Sequence, residues 1–307
     1  MHSVYLIILL SVFTHLTVNG QEVSIKDTSY TVHSTYQKLI KNHPEIQMAV
    51  ADTFGINTVG NQVYQSYGNR SLHYDWFSPE DEQQAKPLVI LVHGGGWRSG
   101  DKSMLAPLAS QLAHSGYLAA CIEYRLSTEA IYPAAVNDIE AAIAYFYQEA
   151  AALGVDTNRV VLLGCSAGAT LASLVATTAM PNTIAALINI DGVVDFTDPN
   201  ESGKDNNPEK PSAAAQFFGC TYTQCPSLWK EGSAINYLHP QMPKCLFLNS
   251  SVPRFHAGRE PFLQYLNQHQ IVNQVHTIHD SPHSFWLFQP WFDGSVDVMI
   301  NFLDSVL

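Results

Sequence analysis

The stretch that most narrows the fold is the apolar run at residues 159–163, followed at once by Gly164-Cys165-Ser166-Ala167-Gly168 and an alanine-rich run to residue 179. The first run reads as a buried strand and the last as a helix. Joining them through Gly-x-Ser-x-Gly forces a sharp turn in which the serine takes a strained backbone and the flanking glycines let neighbouring elements close in. Such a turn lifts the Ser166 hydroxyl above the sheet edge, beside the positive end of a helix.

The rest of the chain repeats that strand-then-helix rhythm. Strand-like runs fall at residues 88–92, 117–124, 185–190, 244–249 and 274–279, and helical patterns at 103–114, 134–152, 167–179, 258–269 and 296–303. Within 134–152, Val136, Ile139, Ile143 and Phe146 recur at spacings of three and four, an apolar stripe suited to packing on a sheet. The alternation predicts an α/β fold with a mostly parallel sheet, opened in antiparallel fashion by weaker strands at 58–64 and 71–77. Residues 198–229, with Pro199, Pro208, Pro211, Pro226 and Gly203, break the rhythm and read as a lid-like insertion rather than a second domain.

Residues 1–20 combine a short apolar run with small residues at the exit, Val18-Asn19-Gly20, and read as a secretory signal too short to span a bilayer. That leaves residues 21–307 as one domain, secreted or periplasmic, with no membrane span and no lipobox cysteine after the signal. The chain is 46% hydrophobic and 14% charged, which excludes disordered, coiled-coil and collagen-like classes. Its net charge of -12 makes non-specific nucleic-acid binding unfavourable. Cys121, Cys165 and Cys245 sit where strands or the turn would bury them, whereas Cys220 and Cys225 flank a polar loop suited to a small disulfide in an oxidising compartment. No second Cys pair or His pair stands at zinc spacing near Cys220 and Cys225, and His279, Asp280 and His283 make a weak metal set, so no metal is expected.

A second glycine-rich motif, His93-Gly94-Gly95-Gly96-Trp97, follows the apolar run at 88–92. Its flexible backbone can aim several amides at one point, as stabilising a tetrahedral oxyanion requires, and Gly95, Gly96 and Ala167 are the expected donors. A phosphate-cradling loop is excluded because neither a Walker lysine nor the dinucleotide glycine spacing is present. Together the two motifs resemble the α/β-hydrolase fold, and within it the hormone-sensitive-lipase-like and carbohydrate-esterase branch, over residues 87–307. The resemblance implies a serine esterase acting through an acyl-enzyme without a cofactor, with Ser166 as nucleophile, His283 in the loop after the last strand as general base, and His93 ordering the oxyanion loop.

The triad acid departs from that pattern. Where the resemblance implies an Asp, after the run at 244–249, this chain has Val252. Glu260, in the same connection, is the preferred substitute; Asp191 or Asp195, after the preceding strand, is the alternative, with Asp195 ranked next. The resemblance to secreted carbohydrate esterases implies acetyl or feruloyl esters of plant polysaccharides such as xylan or pectin. Trp97, Trp286 and Trp291 are candidate sugar-stacking walls. Arg98, Lys102, Arg254 and Arg259 are candidates for a local basic patch facing a galacturonate. Other readings are an arylformamidase-like amidohydrolase, which shares the His-Gly-Gly-x-Trp loop, and a non-catalytic carbohydrate-binding protein on a hydrolase scaffold.

Overall fold

Alternation along the central strands assigns the two faces of the sheet. In the computed structural model, which describes residues 27–81, 84–199 and 209–307, the strands are β1 (Gln47–Met48), β2 (Ile56–Tyr67), β3 (Arg70–Pro79), β4 (Lys86–Val92), β5 (Leu118–Ile122), β6 (Val155–Cys165), β7 (Ala186–Ile190), β8 (Lys244–Asn249), β9 (Asn273–Thr277) and β10 (Phe288–Gln289). The helices are α1 (Val32–Leu39), α2 (Ala106–His114), α3 (Ala134–Gln148), α4 (Ala150–Leu153), α5 (Ala167–Thr178), α6 (Ala213–Phe218), α7 (Pro226–Glu231), α8 (Arg259–Gln268) and α9 (Trp291–Val306). Leu88, Ile90 and Val92 of β4 pack with α3 and α5 through Ile139, Phe146, Leu171 and Val175. Val89 and Leu91 face the other way, onto Leu108 and Leu112 of α2 and Met299 and Phe302 of α9.

The main sheet has eight strands in the order β2-β3-β5-β4-β6-β7-β8-β9, and β1 pairs separately with β10. β3 alone runs against its neighbours, antiparallel to β2 and β5, while β5 to β9 are joined by parallel pairings. This is the α/β-hydrolase architecture, with helices on both faces of a mostly parallel sheet. The carboxyl ends of β4, β6, β7 and β8 therefore open at one edge, the usual ligand edge of such sheets.

The elements follow the periodicity closely, with differences among the helices. The expected helix over 134–152 divides into α3 and α4, and Gly154, in the left-handed region at φ 67°, ends the second piece. The C-terminal helix begins at Trp291 instead of Val296, immediately after Pro290. The segment at residues 32–39, outside the elements expected from the sequence, forms α1, with Thr31 and Ser34 in a reciprocal capping box.

The described part of the 198–229 insertion is anchored, not loose. Phe217 and Phe218 at the end of α6 and Trp229 of α7 are buried against Phe196 and Ala215, and a Cys220–Cys225 disulfide closes the loop between the two helices. The expected signal segment lies outside the described residues. Among the described residues, no helix is long and apolar enough to cross a membrane.

Candidate active site

The turn from β6 into α5 is as tight as its sequence requires. Ser166 is held at φ 53° and ψ −121°, a conformation disfavoured for any residue with a β-carbon. It persists because both sides are over-determined: the Ser166 amide donates to the Ile190 carbonyl at 2.8 Å, and its carbonyl accepts from Ala169 and Thr170 at 2.9 and 3.1 Å. A β-carbon at Gly168 would run into the Val92 carbonyl, and one at Gly164 into Gly168 itself. The spacing of the two glycines is thus a packing requirement of β4, β6 and α5.

Ser166 Oγ lies 2.9 Å from His283 Nε2, and His283 Nδ1 lies 2.8 Å from Asp191 Oδ2. With the carboxylate accepting from Nδ1–H, the neutral imidazole presents Nε2 as acceptor to the serine hydroxyl. The ring is held on its faces as well: Phe255 stacks on it at 3.5 Å between centroids and 10° between planes, and Trp286 meets it edge-on at 5.2 Å. Asp191 is fully buried, and its other oxygen accepts from the Ser250 amide at 2.8 Å and from Asn249 Nδ2 at 3.3 Å. A buried carboxylate needs such donors to remain an anion.

The carboxylate beside His283 is therefore Asp191, and the preference for Glu260 or Asp195 is corrected. Glu260 sits on the outer face of α8 with a side chain 73% exposed and paired to Arg259. Asp195 spends its carboxylate on the amide and hydroxyl of Thr197, each at 2.7 Å. A signal for Asp191 exists in the sequence. It is an acid directly at the end of a fully buried strand, next in the sheet to the strand of Ser166. Gly192 follows it, where a β-carbon would crowd Ala169 and the Thr170 amide.

The His93–Trp97 loop lies across the same edge. His93 Nδ1 bonds the Gly94 carbonyl at 2.7 Å, its ring stacks on Tyr124, and the Tyr124 hydroxyl donates to the His93 carbonyl at 3.0 Å. Gly95 and Gly96 take φ values of 129° and 59°, of which the first is open essentially to glycine alone. The amides of Gly95, Gly96 and Ala167 have no acceptor among the described residues. All three residues line a cavity of about 300 Å³ that also exposes Ser166 and His283.

Trp97, Trp286 and Arg254 also line the cavity. Trp97 is packed flat on Phe217 at 5.1 Å, so its ring is part wall and part core. The expected basic patch reduces to Arg254. Arg98 is paired with Asp27, Lys102 with Asp75 and Arg259 with Glu260, and none of the three lines the cavity. Trp291 packs edge-on against His43, away from the cavity. Burial pushes the thiol of Cys165, beside the serine, far above its ordinary value, so it is inert as a nucleophile. No metal-ligating cluster occurs among the described residues.

The BD-FAE family model matches residues 74–252, more than half of the chain. The chain belongs to the BD-FAE family. Over 115 residues it is 35% identical to a probable isoprenylcysteine alpha-carbonyl methylesterase of Oryza sativa, covering 36% of this chain and 28% of the relative. Over 201 residues it is 28% identical to esterase LipQ of Mycobacterium tuberculosis, covering 61% and 47%. The aligned stretches span less than half the length of these curated relatives. Among solved structures, this BD-FAE member is similar to an esterase of Rhizomucor miehei, with TM-score 0.68, 18% identity and 90% of both chains covered. It is also similar to a carbohydrate esterase from gut microbiota, with TM-score 0.68, 18% identity, and 84% and 100% covered. At such identities the likeness is one of fold.

Proposed function

We propose that this protein is a secreted carboxylic ester hydrolase that removes short acyl groups, acetyl foremost, from plant polysaccharides such as xylan or pectin. The observation that carries the hydrolase reading is the unbroken path from Ser166 Oγ through His283 to buried Asp191, facing three amides with no other acceptor among the described residues. In this reading Ser166 Oγ attacks the ester carbonyl carbon while His283 Nε2 takes its proton. The carbonyl oxygen becomes an oxyanion received by the Gly95, Gly96 and Ala167 amides. The C–O bond to the alcohol then breaks and His283 returns the proton to the departing oxygen. Water, deprotonated by His283 in turn, attacks the acyl-Ser166 carbonyl, the bond to Ser166 Oγ breaks as His283 returns the proton to that oxygen, and the acid is released.

The size of the cavity, about 300 Å³, is at the low end for small-molecule sites, which favours a short acyl group. Trp97 and Trp286 offer flat faces to a sugar ring. Arg254, with no carboxylate partner among the described residues, suits a neighbouring uronate. The structural likeness to a carbohydrate esterase from gut microbiota agrees with this substrate class. Secretion rests on the sequence of residues 1–20.

The test is hydrolysis of 4-nitrophenyl acetate and butyrate, and release of acetate from acetylated xylan, by the protein and by Ser166→Ala. Removing the nucleophile is expected to lower kcat at least about 10⁴-fold. Acetate is expected to be preferred over butyrate by at least about tenfold. Equal turnover of both chain lengths would defeat the short-acyl reading, and turnover that survives Ser166→Ala would defeat the mechanism.

A further inference from the structure

Asp191 is held from the neighbouring strand by side chains that the mechanism above does not use. Asn249, at the carboxyl end of β8 and 1% exposed, bridges two partners. Its Nδ2 donates to Asp191 Oδ1 at 3.3 Å, and its Oδ1 accepts from Arg259 Nη1 at 2.7 Å. Arg259 is in turn oriented by Glu260, whose Oε1 accepts from its Nε at 2.9 Å. With the Ser250 amide also on Oδ1, β8 occupies one carboxylate oxygen and leaves Oδ2 to His283.

Two points of physical chemistry give Arg259 a specific task. A carboxamide can sit in either of two orientations, and the wrong one would turn the Asn249 oxygen toward Asp191, acceptor against acceptor. A guanidinium has donors only, so its N–H against Asn249 Oδ1 selects the orientation that keeps Nδ2 on the carboxylate. Arg259 is also the first residue of α8, at the helix end where the dipole disfavours a cation, so its location answers to a demand other than helix stability. Neither Asn249 nor Arg259 lines the cavity, and any effect on turnover passes through Asp191.

We infer that Arg259, acting through Asn249, is a positioning residue that fixes the carboxylate of Asp191 toward His283. The inference rests on the hydrolase reading of the site. It also gives Asn249-Ser250-Ser251 a meaning other than a glycosylation signal, because a buried amide bonded at both ends has no room for a glycan.

The test compares the parent with Arg259→Met, which removes charge and fork, and Arg259→Lys, which keeps the charge but not the second N–H. With 4-nitrophenyl acetate both variants are expected to lose about tenfold in kcat, the value of one hydrogen bond to a charged group, with KM within about twofold of the parent. The acidic limb of kcat/KM against pH is expected to move downward in Arg259→Lys, which keeps the cation, since a carboxylate no longer held toward His283 stabilises the imidazolium less; in Arg259→Met the loss of the cation opposes that shift. The other titratable or charged groups facing this pair are His256, whose Nε2 is 3.9 Å from Asp191 Oδ1, Arg254 across Phe255, and Cys165 behind the serine; none is substituted, and His256, which burial and then Arg259 hold below its ordinary value, keeps a cation beside it in Arg259→Lys. An unchanged kcat in Arg259→Met, or an unchanged limb in Arg259→Lys, overturns the inference. Full activity in Arg259→Lys reduces Arg259 to a point charge and overturns positioning. A loss of kcat matched by a rise in KM and a fall in melting temperature assigns it a structural role and overturns it as well. A parent that turns over no ester defeats the hydrolase reading instead. The inference is then judged by NMR titration of His283 in ¹⁵N-histidine-labelled parent and Arg259→Lys, where an identical midpoint overturns it.

Discussion

The ends of β7 and β8 are neighbours in register, Ile190 beside Leu248, yet they treat the edge that carries Ser166 and His283 in opposite ways. β7 stops on Asp191, a fully buried acid held at φ 53°, and delivers charge. β8 stops on Asn249 and Ser250, which deliver hydrogen-bond donors to that charge, and then runs through residues 251–256, partly exposed, to lay Phe255 over His283. Two adjacent strand ends can therefore share one triad position. The acid comes from one, and its solvation from the other.

The sharpest way to break this contrast is to remove each candidate acid. Asp191→Ala is expected to lower kcat on 4-nitrophenyl acetate by about 10³–10⁴-fold, as loss of the acid does in serine hydrolases. Glu260→Ala is expected to stay within about twofold, because that side chain is 73% exposed and Arg259 keeps its bond to Asn249. A larger loss from Glu260→Ala than from Asp191→Ala would return the acid to the β8 side.

The same contrast explains what the sequence discloses and what it hides. Local chemistry is legible: the strand-turn-helix at Ser166 and the glycine loop at residues 94–96 each announce a backbone shape, and His283 follows from its place after the last strand. The choice among Asp191, Asp195 and Glu260 is not, because it depends on which carboxylate a long-range packing brings to one ring. Asp195 turns on itself to Thr197, and Glu260 faces outward on α8. Likewise, the dispersal of Arg98 and Lys102 into ion pairs is set by acids far away in the chain, at Asp27 and Asp75. The anchored insertion reads as a lid from its prolines, whereas its buried Phe217, Phe218 and Trp229 become visible only once Phe196 is in place.

Gly258 is where the two segments touch, and it offers a test of how far they depend on one another. It sits at φ +79°, and a β-carbon there would come within 2.5 Å of Asp195 Cβ and 2.9 Å of the Asp195 amide. Gly258→Ala is expected to cost about 2–3 kcal/mol in urea unfolding, combining left-handed strain with overpacking. Its effect on kcat is expected to be smaller than that of Asp191→Ala. A variant as stable as the parent would mean that the β7 and β8 segments adjust independently.

The smallest expected effect concerns His256, which gives the β8 segment a titrating group close to Asp191. Burial first, and then the Arg259 guanidinium, hold its imidazole below the ordinary value of 6.5, and its Nε2–H donates to the Ser250 carbonyl at 3.1 Å. The folded protein thus resists a proton that the unfolded chain accepts. The associated stability is complete above the ordinary histidine value and is lost as pH falls through the lowered folded one. His256→Gln keeps an N–H for Ser250 but does not titrate. Between pH 8 and pH 5 its melting temperature is expected to fall less than the parent's, by a few degrees for a chain of this size. Parallel melting curves in the two proteins would show that the acid sensitivity lies outside the β8 segment, and that Asn249 and Ser250 hold Asp191 irrespective of the charge on their neighbour.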